Sequence, residues 1–435
     1  MGFIVMAGER ANHLEGAASG GVTGSSEDTF YLWENQRGPA ALDPWRPGRM
    51  LTPGTDDAVI IDKNYIGNFG AETGDTAPWI IEVSGGSPGS VTAVASPVNT
   101  GAFAFKLMTG LDESLVTPTS MYQDIKVRPG EIGTVSVALR GDGTRTIRAM
   151  AYILETGQYL TSGGALSLTP QDFATRVTAT YATTTITWTP PAYTKQWPIG
   201  IWTVRFTCYI NNAATGEGFM DDFVYWPHTN SNAVIGHNLM PALTAFVLQR
   251  STDAVSWTTE HTYSSPLYSP NMYGLHSTMR TERYWRYLTT GINGAYALWF
   301  GQLWLFQKLL FDRSPNYGFR EALSKDYKEQ RTTAGATRRY YKEDTPRTDL
   351  IFTWRHPTDA DYEELRDRVF RQGRLGEWPA LIIRATTDPQ SAHMVNIPGE
   401  YVTDFIEAAP SDADGRARDA GEMTFPGLAY PTFMP

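Results

Sequence analysis

The residues best suited to chemistry lie at the end of an apolar run, AVIGHNLMP at positions 233–241. His237 and Asn238 follow Gly236 there, and histidine is the residue that most often serves as a general base. A base needs a nucleophile and an orienting group, and no nearby Ser, Cys or Asp completes such a set. Gly permits an unusual turn, and His and Asn side chains can satisfy its open backbone groups. We therefore predict that His237 closes a strand.

Acidic pairs are the other candidate catalytic groups. Glycoside hydrolysis requires two carboxyl groups on opposite sides of a sugar, and adjacency in the sequence does not provide that arrangement. No P-loop, dinucleotide fingerprint, HExxH motif or nucleophile elbow is present. We therefore predict no catalytic residues and assign turn and helix-surface roles to the acidic pairs. These pairs are Asp56-Asp57, Asp221-Asp222 and Glu363-Glu364.

Composition excludes several classes of protein. The chain has 435 residues, which predicts two to four domains, and its 41% hydrophobic content with 13 Trp supplies ample core. Only 19% of residues are charged and the formal net charge is −10, so a basic face for nucleic acid is not expected. The segment RTTAGATRRYYK (331–342) is basic but stands alone. The sequence shows no signal peptide and no apolar run of membrane-spanning length, which predicts a soluble protein made without secretion.

The segment 63–228 is rich in strands separated by turns. TIRAMAYIL (146–154) and TVRFTCYIN (203–211) alternate between two faces, with Gly, Pro and Asn between such stretches. Several short strands at this spacing are typical of a β-sandwich or jelly roll. In 203–211 the alternation puts Cys208 on the apolar face, so we predict a buried thiol and not a nucleophile.

The last part of the chain, 311–435, has a different pattern. The segment 356–373 predicts a helix, with Thr358 as its cap and Gly373 at its end. Strands are predicted on both sides of it, at 348–354 and 378–385. The expected fold is mainly β, with two β-sandwich or jelly-roll domains and a small C-terminal α+β domain.

Three segments resemble jelly-roll carbohydrate-binding modules. NYIGNFGAETGDTAPW (64–79) is similar to the opening motif of that family, and SMYQDIKVRPGE (120–131) is similar to its Gln-x-Ile/Val-x-Val-x-Pro-Gly strand. FMDDFVYW (219–226) resembles the closing strand. The resemblance implies a jelly-roll domain over 63–228. It also implies a structural Ca²⁺ that joins the first and last strands through Glu72 and Asp222, since calcium prefers oxygen ligands.

A second resemblance covers the segments on both sides of that domain. AVIGHNL, then 245–263, then RYWRYLTT (283–290) are similar to a discoidin-type β-sandwich of tailed-bacteriophage virion proteins. The expected partner strand is AVIID (58–62), which lies about 170 residues earlier. The resemblance thus implies that 63–228 is inserted into a domain formed by 1–62 and 229–310, with 58–62 and 233–236 adjacent in one sheet. The C-terminal unit, 311–435, resembles the end domains of phage tail proteins and is expected to dock to other virion proteins.

Strand alternation identifies residues for sugar binding on the predicted jelly roll. Arg148 and Tyr152 share the polar face of one strand, and Arg205 and Tyr209 share that of another. If the two strands lie in one sheet, the tyrosines offer ring platforms and the arginines offer hydrogen-bond donors. The two arginines suggest an acidic bacterial polysaccharide.

Together these patterns imply a structural, non-enzymatic component of a tailed-phage virion, in the tail tip, baseplate or fibre region. The expected partners are other virion proteins and host surface polysaccharide, with several copies or a homo-oligomer in the particle; nucleic acid and membrane insertion are not expected. The expected localisation is the virion, after synthesis in the bacterial cytoplasm. Two alternatives remain open: a glycan-acting enzyme (depolymerase) with accessory sandwiches, and a capsid or tail spacer that binds no sugar.

Overall fold

The structure is a computed structural model, and every element that it describes is a β-strand. Within the described ranges no helix is long and apolar enough to cross a membrane. The predicted helix at 356–373 lies outside the described residues. These are 4–7, 22–23, 49–51, 57–83, 89–109, 118–192, 202–210, 215–237, 245–263, 271–290, 298–307, 309–310, 320–324, 327–331, 337–341, 347–355, 379–383, 392–396, 404–406 and 417–425.

The strands up to the end of the predicted jelly roll are numbered in chain order. The first four are β1 (Ile4–Ala7), β2 (Val22–Thr23), β3 (Arg49–Leu51) and β4 (Asp57–Asp62). The next twelve are β5 (Ile80–Glu82), β6 (Ser90–Val94), β7 (Ala104–Met108), β8 (Thr119–Val127), β9 (Gly133–Arg140), β10 (Ile147–Ile153), β11 (Gln158–Leu160), β12 (Leu166–Ser167), β13 (Ala174–Arg176), β14 (Ala182–Trp188), β15 (Trp202–Ile210) and β16 (Glu217–Pro227).

Strands β5 to β16 form two antiparallel sheets. Sheet I has the order β12-β11-β10-β15-β8-β5, and β13 also pairs with β10. Sheet II has the order β14-β9-β16-β7-β6. The strands are rich in Thr, Val, Ile and aromatic residues, which suit a pleated surface with one buried side. This is the β-sandwich that the sequence predicted for 63–228.

The core lies between the two sheets. The inward residues of β10 and β15 alternate with outward ones, as predicted, and Cys208 is completely buried. Phe223 of β16 is at the centre, where its ring meets those of Trp79, Phe173 and Phe206 at centroid distances of 5.7 to 5.9 Å. Burial of such large apolar surfaces is the main stabilising contribution to a sandwich of this size.

Six further strands form a second sandwich with β2, β3 and β4. They are β17 (Thr229–His237), β18 (Ala245–Ser251), β19 (Thr258–Tyr263), β20 (Asn271–Arg280), β21 (Tyr284–Thr290) and β22 (Leu298–Phe306). Sheet III has the order β20-β17-β22-β3, and sheet IV has the order β19-β18-β21-β4-β2. The two sheets meet where Tyr287 of β21 donates a hydrogen bond to the carbonyl of Ala233 on β17, at 3.5 Å.

Strands from both sides of the first sandwich therefore pair with each other. Strand β4 pairs with β21, and β3 pairs with β22. The prediction that 58–62 and 233–236 are adjacent in one sheet is wrong, because β4 belongs to sheet IV and β17 to sheet III. A strand has only two hydrogen-bonding edges, and β20 and β22 occupy both edges of β17.

The remaining strands belong to the C-terminal region and to the N-terminus. They are β23 (Leu309–Leu310), β24 (Arg320–Ser324), β25 (Tyr327–Arg331), β26 (Thr337–Tyr341), β27 (Arg347–Arg355), β28 (Pro379–Ile383), β29 (Ala392–Asn396), β30 (Asp404–Ile406) and β31 (Ala417–Phe425). The strands predicted on both sides of the helix are confirmed as β27 and β28. Strand β1 pairs with β23, which belongs to the same predicted domain, and with β28, which lies in the predicted C-terminal domain 311–435.

Candidate functional site

The four residues predicted to bind sugar lie together on the outer surface of sheet I. Strands β10 and β15 are direct neighbours, with Arg148 opposite Tyr209 and Tyr152 opposite Arg205. All four side chains are half-buried and face away from the core. We call this surface, with the neighbouring side chains of sheet I, the Tyr–Arg face.

Asp172 holds one end of the Tyr–Arg face. Its Oδ2 accepts a hydrogen bond from Arg148 Nη1 at 2.7 Å, and its Oδ1 accepts one from the Tyr209 hydroxyl at 2.5 Å. The carboxylate is largely buried, with 13% of its side chain exposed. The hydrogen bond that Arg148 donates to Asp172 raises the pKa of Arg148, while burial and the same carboxylate raise the pKa of Tyr209. Arg148 is therefore charged and Tyr209 neutral over the physiological pH range.

Asp124 and Tyr122 hold the second arginine. Arg205 Nε and Nη2 donate to the two oxygens of Asp124 at 2.9 and 3.0 Å, a bidentate ion pair across β15 and β8. The guanidinium also lies 3.8 Å from the centre of the Tyr122 ring. The hydrogen bonding of Arg205 to Asp124 raises the pKa of Arg205. One plane of Tyr122 is thus covered by the arginine.

An aromatic pair extends the face towards the edge of the sheet. Tyr152 on β10 is opposite Tyr159 on β11, and their ring centres are 4.6 Å apart with 31° between the planes. Both side chains are half-buried. At this separation each ring covers part of one plane of the other, and the pair together forms an apolar platform.

The register arranges these side chains in a row that crosses five strands. The row runs from Asp124 through Arg205, Tyr152 and Tyr159 to Ser167. At the usual strand spacing it measures roughly 19 Å. A row of two adjacent rings with polar groups on both sides, on this scale, suits an extended polymer better than a single small molecule.

Sequence reasoning found half of this face. The alternation along β8 could have placed Asp124 on the same face as Tyr122. A strand pattern, however, does not say which strand lies next to β15. Asp172 lies on the loop before β13, and loop side chains follow no regular alternation that a sequence pattern could reveal. Tyr159 lies on a strand of three residues, too short for a periodic pattern to be detected.

The residues predicted to hold calcium approach one loop from two sides. Asp222 accepts hydrogen bonds from Asn99 Nδ2 at 2.9 Å and from Thr100 Oγ1 at 2.7 and 2.8 Å. Glu72 Oε2 accepts the backbone N–H of Ala102 at 2.9 Å. Gly101, between them, has a φ of +67°, and a side chain there would collide with the Glu72 carboxylate.

A third carboxylate adjoins the same loop. Asp221 Oδ2 accepts the backbone N–H groups of Asn99 and Thr100 at 2.7 and 3.2 Å, and burial raises its pKa to about 6. The residues present are oxygen donors, which calcium prefers. Within the described ranges no group of three or more His, Cys, Asp or Glu side chains has the arrangement of a metal site. A bound Ca²⁺ would therefore need backbone carbonyls or water as additional ligands.

His237 is the last residue of β17, where it pairs with Phe300 of β22. The prediction that it closes a strand is confirmed. Its side chain lies outside the described part of the structure.

No family model and no curated protein matches this chain. Parts of it are similar to solved structures of carbohydrate-binding modules and of a tailspike domain. TmCBM61 in complex with β-1,4-galactotriose has a TM-score of 0.26 and 20% identity, over 38% of this chain and 98% of that one. The CBM22-1 xylan-binding domain of Paenibacillus barcinonensis Xyn10C has a TM-score of 0.26 and 11% identity, over 37% and 91%. The enzymatically active domain of bacteriophage CBA120 tailspike protein 4 has a TM-score of 0.28 and 13% identity, over 38% of this chain but only 21% of that one.

Proposed function

We propose that the Tyr–Arg face binds an extended carbohydrate chain. The observation that carries this proposal is the row of rings and polar groups across five adjacent strands of sheet I. Sugar rings offer apolar C–H surfaces that pack on aromatic planes, and tyrosine combines such a plane with a hydroxyl group. In this arrangement Tyr152 and Tyr159 supply the platform, and the Arg148–Asp172 and Arg205–Asp124 pairs supply donors and acceptors for hydroxyl groups.

We further propose that the chain acts by binding and not by hydrolysis. A retaining or inverting glycosidase needs two carboxyl groups free to act as acid, base or nucleophile. On this face Asp124 and Asp172 each hold an arginine. Asp221, a carboxyl group with a raised pKa, accepts hydrogen bonds from the backbone N–H groups of Asn99 and Thr100. The face therefore favours recognition of an intact polymer over cleavage.

The wider role that we propose is that of a structural component of a tailed-phage virion, in the tail tip, baseplate or fibre region, with host surface polysaccharide as the ligand. This rests on the resemblance of the segments 233–239, 245–263 and 283–290 to discoidin-type domains of virion proteins. Other virion proteins, in a multi-copy arrangement, are the proposed partners. A low-resolution map of an intact particle, with this chain labelled, tests the location.

The binding proposal is tested with the full chain on an array of bacterial surface polysaccharides. We expect Tyr152→Ala/Tyr159→Ala to lower the apparent affinity about tenfold or more, because both rings of the platform are lost. Tyr152→Phe keeps the ring and is the matched control, with affinity near that of the wild type. Melting temperatures of all variants establish that they are folded.

Two results would contradict this assignment. Unchanged affinity in the double variant would place the binding site elsewhere on the chain. A chain that binds none of the polysaccharides would be a spacer in the particle, the role that the sequence left open.

A further inference from the structure

Both arginines of the Tyr–Arg face are neutralised within the face. Arg148 is paired with Asp172 at 2.7 Å, and Arg205 is paired with Asp124 through two hydrogen bonds. Glu82 on β5, at the edge of the same sheet, adds a negative charge to the surroundings of Arg205. The prediction from sequence took both arginines as hydrogen-bond donors and suggested an acidic polysaccharide as the ligand.

We propose that Asp124 and Asp172 make the Tyr–Arg face selective for uncharged glycans. This inference rests on the proposed function and adds two residues that determine the ligand class. An acidic sugar would need to displace a carboxylate that already holds its arginine, or bind beside it against like-charge repulsion. A neutral sugar meets no such repulsion, because its hydroxyl groups can donate to the carboxylate and accept from the remaining guanidinium N–H groups.

The geometry of the two ion pairs explains why an acidic sugar would not readily displace either carboxylate from its arginine. The Arg205–Asp124 pair is bidentate, and Tyr122 supports the guanidinium from one side at 3.8 Å. Asp172 is only 13% exposed and is also held by the Tyr209 hydroxyl. Displacing either carboxylate would thus disrupt contacts on two strands.

The test uses two soluble polymers with the same β-1,4-glucan backbone, neutral hydroxyethyl cellulose and anionic carboxymethyl cellulose. Affinity electrophoresis measures binding of the full chain and of Asp124→Asn and Asp172→Asn, which keep side-chain size and remove one charge each. Glu217→Gln is the matched control, because Glu217 forms an ion pair with Lys106 on sheet II, away from the face. Melting temperatures show whether each variant is folded.

We expect the wild type to prefer the neutral polymer. Each Asn variant should gain affinity for carboxymethyl cellulose by about tenfold relative to Glu217→Gln, and added salt should remove the gain, since an exposed charge is screened. Equal binding of both polymers by the wild type, or Asn variants with an unchanged preference, would overturn the selectivity.

The selectivity and the proposed function fail in distinguishable ways. If the wild type binds neither polymer and no polysaccharide of the array, sugar binding by this chain is refuted. The selectivity then falls with it, whereas a wild type that binds polysaccharides of the array but does not prefer the neutral polymer refutes the selectivity alone.

Discussion

At the scale of single residues, neighbours determine what each reactive group can do. Arg148 and Arg205 form ion pairs with Asp172 and Asp124, and each pair carries no net charge. Burial raises the pKa of the Cys208 thiol, and the side chain is completely inaccessible. Lys63 is almost fully buried, and its ammonium donates to Pro227 O at 2.6 Å and to Thr229 Oγ1 at 2.7 Å. Each of the two core residues has a consequence that solution experiments can measure.

Cys208 should be unreactive in the folded protein. The thiolate is the nucleophile, and the raised pKa keeps the thiol protonated at neutral pH. Alkylation by iodoacetamide at pH 8 should be at least about a hundredfold slower in the native protein than in concentrated urea. The Cys208→Ala variant is the control, and it measures alkylation of residues other than Cys208. Equal rates in the two conditions would show that the core around Cys208 opens freely.

Lys63 should make stability depend on pH in the alkaline range. Burial lowers its pKa from 10.5 to about 7, partly opposed by Glu131 and Asp62. Between these values the unfolded chain binds more protons than the folded one, so the lysine's contribution to stability rises with pH. Relative to Lys63→Met, the free energy of unfolding of the wild type should rise between pH 7 and 10, by up to about 1.4 kcal/mol per pH unit.

Denaturant unfolding at several pH values measures this difference. Lys126→Met, at an exposed position on β8, controls for the loss of one positive charge. A difference between wild type and Lys63→Met that stays constant from pH 7 to 10 would contradict the prediction.

At the scale of elements, a bulge and a tight loop bring the two ends of the first sandwich together. The register of β16 shifts between Asp221 and Val224, and Asp222 has a φ of 51° there. This turns Asp222 towards the loop 99–102, which Glu72 holds from the other side. Hydrogen bonds through the loop 99–102 thus connect the opening and closing segments, and the calcium between Glu72 and Asp222 stays a prediction.

If Ca²⁺ strengthens this link, chelation with EDTA should lower the melting temperature of the full chain. Calcium at a hundred times its dissociation constant should stabilise the fold by about 2.7 kcal/mol. Asp222→Asn should remove the response, while Glu217→Gln, an acidic residue on the same strand, should preserve it. A melting temperature indifferent to EDTA and to added calcium would refute the site.

At the scale of the whole molecule, the two sandwiches adjoin where the chain passes between them. The Lys63 ammonium reaches Pro227 and Thr229, so the start and end of 63–228 lie within the length of one lysine side chain. Arg283 forms a bidentate pair with Asp62 and lies over the Phe69 ring. Domain insertion is tolerated at such closely spaced ends.

The insertion predicts that each part folds alone. A fragment of 63–228 should melt cooperatively, and a chain in which a short Gly-Ser linker replaces 63–228 should remain folded. Circular dichroism and thermal melting measure both. The split domain would be contradicted if residues 1–62 and 229–310 folded as two independent units. It would also be contradicted if the chain without 63–228 failed to fold.

The sequence by itself determined the features that depend on local period. Alternation along 146–154 and 203–211 gave the strands, the buried side of Cys208 and the outward side of the tyrosines and arginines, because a strand's side chains alternate whatever its neighbours are. The prediction that a strand ends at His237 came instead from the residue types Gly236, His237 and Asn238. The opening and closing segments of the jelly roll were identified by their motifs.

Only the tertiary structure decided what these side chains meet. Whether β4 lies beside β17 or in the opposite sheet depends on pairings over more than 200 residues, which no local pattern encodes. The partners of Arg148 and Arg205 come from a loop and from another strand, so their neutral pairing was invisible in sequence. An ion pair requires two groups within a few ångströms, and that distance is fixed by register and packing rather than by position along the chain.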